Sequence, residues 1–262
     1  MNRNNLFWGI MLVLLGMLFL LDNLGFFPGI DVWPLFWALF LMALGGWILI
    51  SALRKPNFER EHAVVALEGA SRAAVRLNHG AGRLELSAAD LGANLAEGDF
   101  EGGVKVKTVL SGETLEAVLS MPSMDIPFQT AQHGLDWRVQ LNRAPDYARL
   151  ELHTGASESN LDLSELRVSE IIVHAGASSA TVRAPAQGQV RLQADTGAAT
   201  LRIIVPQGVA ARIRGRGGLY TLSVDTQRFP RQGEFYLSPD YDTAQNRLEV
   251  EVSTGVGTVR VE

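Results

Sequence analysis

Two imidazoles, a carboxylate and a guanidinium recur at one interval in this chain: His153, His174, Asp195 and Arg216 are each 21 residues apart. If segments of that length stack as parallel strands, neighbours lie about 4.8 Å apart, and His153, His174 and Asp195 stand side by side. Two imidazoles and a carboxylate form a ligand set suited to zinc or iron. The plainer account is a solvated turn position that accepts any polar side chain, with Arg216 as a fourth member that would repel a cation. Adjacent imidazoles also resist double protonation, so a pH switch is a further reading, which Asp195 would counteract.

Other chemistry is missing from the pattern. Gly80, Gly82 and the "GRGG" at 215–218 lack the Lys-Ser/Thr and following helix of a phosphate loop, and they read better as strand turns. There is no Gly-x-Ser-x-Gly elbow and no His-Glu-x-x-His. The absence of cysteine excludes a disulfide framework, thiolate zinc sites and a thiol nucleophile. With 23 basic and 28 acidic residues and no basic tract, no nucleic-acid footprint is visible. The expectation is therefore no enzyme, no cofactor and no resident metal, with His153, His174 and Asp195 the one candidate set. Phe229, Phe235, Tyr236 and Tyr241 are candidate partner-binding residues, although the same aromatics could cap an open end of the stack.

The elements that would position these residues follow from the repeat. Aligned at 21 residues, Leu150, Ile171, Leu192 and Ile213 form one apolar column, and Leu161, Val182, Ile203 and Val224 another. The residues between them are mostly polar, so each segment has a period of two. Each rung reads as two strands of about six residues joined at Gly155, Gly176, Gly197 or Gly218, with Pro185 and Pro206 at the far turn. Such short repeats cannot bury a face alone and must stack on one another. "LNHGAGRLEL" opens this domain and "VSTGVGTVRVE" closes it, while "EGDFEGGVKVKTVL" and "LDWRVQLN" are the expected strands of an irregular stretch between. A parallel stack is favoured, with an antiparallel sandwich as the alternative.

Upstream, residues 6–21 and 32–53 are uncharged and apolar. At about 1.5 Å per residue the second run crosses a hydrocarbon core, and the first does so if it extends to residue 24. Trp8, Trp33 and Trp47 lie near the ends of these runs. Arg3 precedes the first run and Arg54, Lys55 and Arg60 follow the second, while the link between them carries only Asp22 and Asp31, so both ends are expected to face the cytoplasm. A signal peptide is disfavoured because no small-x-small site follows Leu21. The expected organisation is a transmembrane hairpin over 1–55, a linker over 56–65 and a repetitive β domain over 66–262.

The stretches "FWGIMLVLLGMLFLLDNLG" and "WPLFWALFLMALGGWIL" resemble the transmembrane region of LiaI- and LiaF-like bacterial proteins. "NHGAGRLEL", "HTGASESNLDLSEL", "HAGASSATVRAP", "DTGAATLRIIVP" and "STGVGTVRV" resemble the toast-rack domain that follows such regions. The fold class expected is thus a membrane-anchored all-β protein, in which a helical hairpin precedes a β-solenoid-like toast-rack domain of about 21 residues per rung. The resemblance implies a non-enzymatic regulator in the cell-envelope stress response at the bacterial cytoplasmic membrane, with the lipid bilayer and a membrane histidine kinase as partners. Having only two evident spans departs from LiaF itself and puts that kinase partnership in question. The alternatives are a self-assembling solenoid, that is a homo-oligomer, and a lipid- or metal-binding module.

Overall fold

Wherever apolar and polar residues alternate downstream of Arg60, the chain is extended. The computed structural model describes residues 60–122 and 135–262, together with scattered positions between 13 and 46 that are all helical. The chain divides into two units, Met1–Pro56 and Asn57–Glu262. Among the described residues no helix is long and apolar enough to cross a membrane. The expected spans over 6–24 and 32–53 lie mostly outside the described residues.

The second unit is a 14-stranded sheet among the described residues. In chain order its strands are β1 (Arg60–Ala66), β2 (Arg72–Ala89), β3 (Asn94–Glu101), β4 (Lys105–Ser111), β5 (Thr114–Ser120), β6 (Leu135–Asn142), β7 (Asp146–Asp162), β8 (Arg167–Val168), β9 (Glu170–Arg183), β10 (Gln189–Ile204), β11 (Ala210–Val224), β12 (Arg231–Gln232), β13 (Phe235–Leu237) and β14 (Arg247–Val261). β1 begins inside the stretch expected to be linker, because Arg60–Ala66 finds an antiparallel partner in β3.

The favoured parallel arrangement is present. β2, β7, β9 and β10 stack in register, so that Leu150 pairs with Ile171 and Ile171 with Leu192. β5 and β6 together form the rung before β2, each parallel to one half of it. The inward columns are buried, and each fully buried Leu, Ile or Val contributes about 1.5–3 kcal/mol of transfer free energy.

Two expectations are corrected. First, each rung is one long strand rather than two strands joined by a turn. The buried positions of β7 switch parity between Leu152 and Ser157, so both halves keep their apolar side chains inward although the strand is unbroken. The glycine sits at that switch because rungs approach too closely there for a side chain. A Cβ on Gly155 would lie 2.5 Å from the Gly80 carbonyl oxygen, and one on Gly176 3.0 Å from that of Gly155.

Second, the rungs do not stack in sequence order. β14 inserts between β10 and β11, pairing parallel with both. Charge explains part of this. On the outer face Arg149 meets Glu170, Glu170 meets Arg191, Arg191 meets Glu249 and Glu249 meets Arg212. Stacking in sequence order would place Arg191 beside Arg212, and like charges directly opposite one another destabilise a sheet. With Glu249 between them the column alternates in sign along its length.

One end of the stack is covered by antiparallel strands, β4 on β5 and β3 on β6, whereas at the other β13 pairs only with Arg212 and Ile213 of β11 and the rest of that edge has no partner strand among the described residues. Within the first end Trp137 is fully buried, packed edge-to-face on Phe100 at 4.9 Å and tilted against His79 at 5.3 Å.

Candidate functional site

The residue two positions before the corner Gly of each full rung, with Ser120 of β5 in register, forms a polar row. In spatial order it runs Ser120, Asn78, His153, His174, Asp195, Ser253 and Arg216. His153 and His174 are direct register partners with ring centroids 4.8 Å apart. The expected juxtaposition of His153, His174 and Asp195 is therefore present. Because β14 intervenes, Arg216 faces Ser253 rather than Asp195.

The structure adds a residue the spacing argument passed over. Glu151 is two positions before His153, on the same face of β7, and accepts a hydrogen bond at 2.6 Å from His153 Nε2. Although it points away from the core it is only 9% exposed. Arg76 on β2 holds its other carboxylate oxygen, with Nη2 at 2.8 Å and Nε at 3.0 Å. Burial by itself would raise the carboxyl's pKa, but the hydrogen bonds from His153 and Arg76 outweigh it and hold Glu151 below the usual carboxylate range. Period two in a strand makes a Glu-x-His pair cofacial, and that was the available signal.

His174 Nδ1 lies 3.7 Å from Asp195 Oδ2, and Gln193 Nε2 donates to the same oxygen at 3.2 Å. The donor atoms of Glu151, His153 and His174 all lie within 4.8 Å of one another. Asp195 flanks this trio beside His174. The row forms part of an open groove of about 520 Å³ whose wall includes Asn78, His79 and Met121.

His79 differs from His62, His153 and His174 in being buried. Its Nε2 donates to the Leu135 carbonyl at 3.0 Å while Nδ1 has no partner among the described residues, so the neutral ring fits. Burial lowers its pKa from the ordinary 6.5. The unfolded chain then binds more protons between the two values, so this group's contribution is complete above about pH 6.5 and lost as pH falls through the folded value. His62, raised by Asp99 and Glu97, acts in the opposite sense but is exposed. Urea midpoints are expected to fall between pH 7.5 and 5.5, by less in His79→Gln; an equal fall in both would dismiss this role for His79.

The aromatic candidates lie around the stack's last rung. Phe229 is buried, which removes it from any docking surface. Phe235 and Tyr236 are half-buried on β13, and the Arg212 guanidinium lies 5.5 Å from the Phe235 ring and 5.6 Å from that of Tyr241. These residues thus lie beside the Arg212–Ile213 part of β11, with Phe235, Tyr236 and Tyr241 partly exposed.

Comparison with known proteins decides the family. The N-terminal domain of toast_rack, DUF2154, matches residues 54–204, more than half of the chain. The chain belongs to the toast-rack family. Ahead of that domain, the LiaF transmembrane domain matches residues 7–67, so the toast-rack unit follows a membrane region of the LiaF type. A crystal structure of a "putative cell adhesion protein" from Clostridium sporogenes is 21% identical, with a TM-score of 0.68 over 78% of this chain and 98% of that one. That likeness is one of fold. A "putative adhesin" from Bacteroides fragilis is 10% identical over 78% of this chain and 97% of that one, and its TM-score of 0.34 is too low to bear on the toast-rack architecture. No curated protein matches the chain.

Proposed function

We propose that this toast-rack protein is a non-enzymatic, membrane-anchored regulator in the bacterial cell-envelope stress response, acting by protein–protein contact on a membrane signalling partner such as a histidine kinase. The observation that carries this reading is the joining of a LiaF transmembrane match and a toast-rack match in one chain. The anchor is a two-span hairpin over 6–24 and 32–53 in the cytoplasmic membrane. Support comes from the exposed apolar side chains of Val13, Met17, Leu20, Leu41 and Met42, a concentration that water alone would disfavour. By the placement of Arg3, Arg54, Lys55 and Arg60, the N-terminus and the β unit face the cytoplasm. Phe235, Tyr236 and Tyr241 are the aromatic contacts left for a partner.

Self-assembly into a longer solenoid is the competing reading, and the β4 end of the stack weighs against it. There the exposed edge strand β4 carries Lys105 and Lys107, whereas at the other end β12 and β13, two and three residues long, cover only the Arg212–Ile213 part of β11. Edge lysines and very short edge strands both discourage strand addition. Photo-crosslinking in intact membranes, with probes at Phe235 and Tyr241, is expected to capture a membrane signalling protein; capture of second copies alone would favour assembly instead.

A further inference from the structure

We propose that Glu151, His153 and His174 bind a single first-row divalent cation, Zn²⁺ by the character of the donors, with Asp195 as a positioning residue rather than a ligand.

Two imidazoles and a carboxylate, with one coordination position left open, form a set that zinc accepts. Bonds of about 2.1 Å place tetrahedral donors roughly 3.4 Å apart. The three donor atoms already lie within 4.8 Å, so closure requires side-chain adjustments of about an ångström and no movement of the rungs. His153 and His174 are held in register by the β7–β9 ladder, and Glu151 shares a strand with His153.

What separates this trio from an ordinary polar surface is its support. Arg76 clamps one Glu151 oxygen and so presents the other toward His153. An ionised carboxylate can only accept, so the proton in the contact between them belongs to His153 Nε2. A cation taking its place moves that proton to Nδ1. On the other side Asp195 lies near Nδ1 of His174 and is itself held by Gln193. At 3.7 Å this is not yet a hydrogen bond, but a small side-chain shift would make it one, fixing the ring's tautomer and leaving Nε2 for a metal, an arrangement typical of histidine ligands. The objection that Arg216 would repel a cation falls away, because Ser253 of β14 stands between it and Asp195. The groove is open above the row, which leaves the fourth position to water or to a donor from a partner.

The test is competition for Zn²⁺ between the full-length chain in detergent micelles and a chromophoric chelator, with Mg²⁺ as the comparison ion. One saturable Zn²⁺ per chain is expected. His153→Gln and His174→Gln should each abolish it, and Asp195→Asn should weaken it by about 10–100-fold. His62→Gln, beside the exposed Glu97 and Asp99, should leave it unchanged. Histidine ring NMR on the unaltered chain requires no variant to fold: the His153 and His174 signals should move with Zn²⁺ and that of His62 should not. Zn²⁺ binding no tighter than Mg²⁺, binding that survives loss of both His153 and His174, or unmoved ring signals would each overturn the proposal.

Discussion

Trp137→Ala is expected to lower the stability of the β unit by about 3–5 kcal/mol, the range for deleting a large buried aromatic. Trp137 has no exposed surface, and it fills the space where the β6 half-rung, β3 and the buried His79 ring meet. Its edge-to-face contact with Phe100 adds to the area it buries. Its indole N–H has no hydrogen-bond partner among the described residues. Single domains are stable by only about 5–15 kcal/mol, so this one change should remove a large share of the total. Urea denaturation measures it. A loss below about 1 kcal/mol would mean that the β5/β6 rung is not a wall of the core.

The second large effect belongs to the glycine ladder. Gly155→Ala places a Cβ 2.5 Å from the Gly80 carbonyl oxygen, a backbone atom that no rotamer change can move away. Either the two rungs separate locally or the strands shift, and overpacking of this kind costs about 1–3 kcal/mol. Gly155→Val should cost more, because its branches have the same obstacle. Ala177→Val, at the exposed neighbour of Gly176, is the control and should change stability by less than about 0.5 kcal/mol. Equal tolerance at both positions would show that the rungs are not in close contact at the corner.

Much of this arrangement could be read from the residues. A repeat of 21 with period two inside each unit leaves little choice but stacked strands with inward Leu150, Ile171 and Leu192, and these are register partners. The glycine was legible as a corner but not as a position within one strand. Its φ is not among the positive values, so backbone freedom is not its role there; proximity to the next rung's carbonyl is, and that appears only in three dimensions. The place of β14 was hidden because sequence periodicity continues from Gly197 to Gly218 as if the rungs were neighbours. The charges held the clue: Arg191 and Arg212 share a column and need an acid between them, and Glu249 is the one that arrives.

The candidate site was half visible for a similar reason. Comparison along the 21-residue step finds His153, His174 and Asp195, since all share one outward column. It does not find Glu151, whose counterparts one and two repeats later are Ile172 and Gln193. A residue that matters through its own strand neighbour, and through Arg76 on a rung 75 residues earlier, leaves no periodic trace. Phe229 was misplaced because an aromatic in a long connection looks the same whether it faces solvent or closes the end of a core.

We propose that the β unit lies at the cytoplasmic face and works by touching a membrane signalling protein. The most direct measurement is photo-crosslinking of the full-length chain in intact cells, with a probe in place of Tyr241, followed by identification of the captured species. The account predicts a crosslink to a membrane kinase or comparable signalling protein, formed through its cytoplasmic portion. Crosslinks solely to further copies of this chain, or to proteins outside the cytoplasmic membrane, would contradict it.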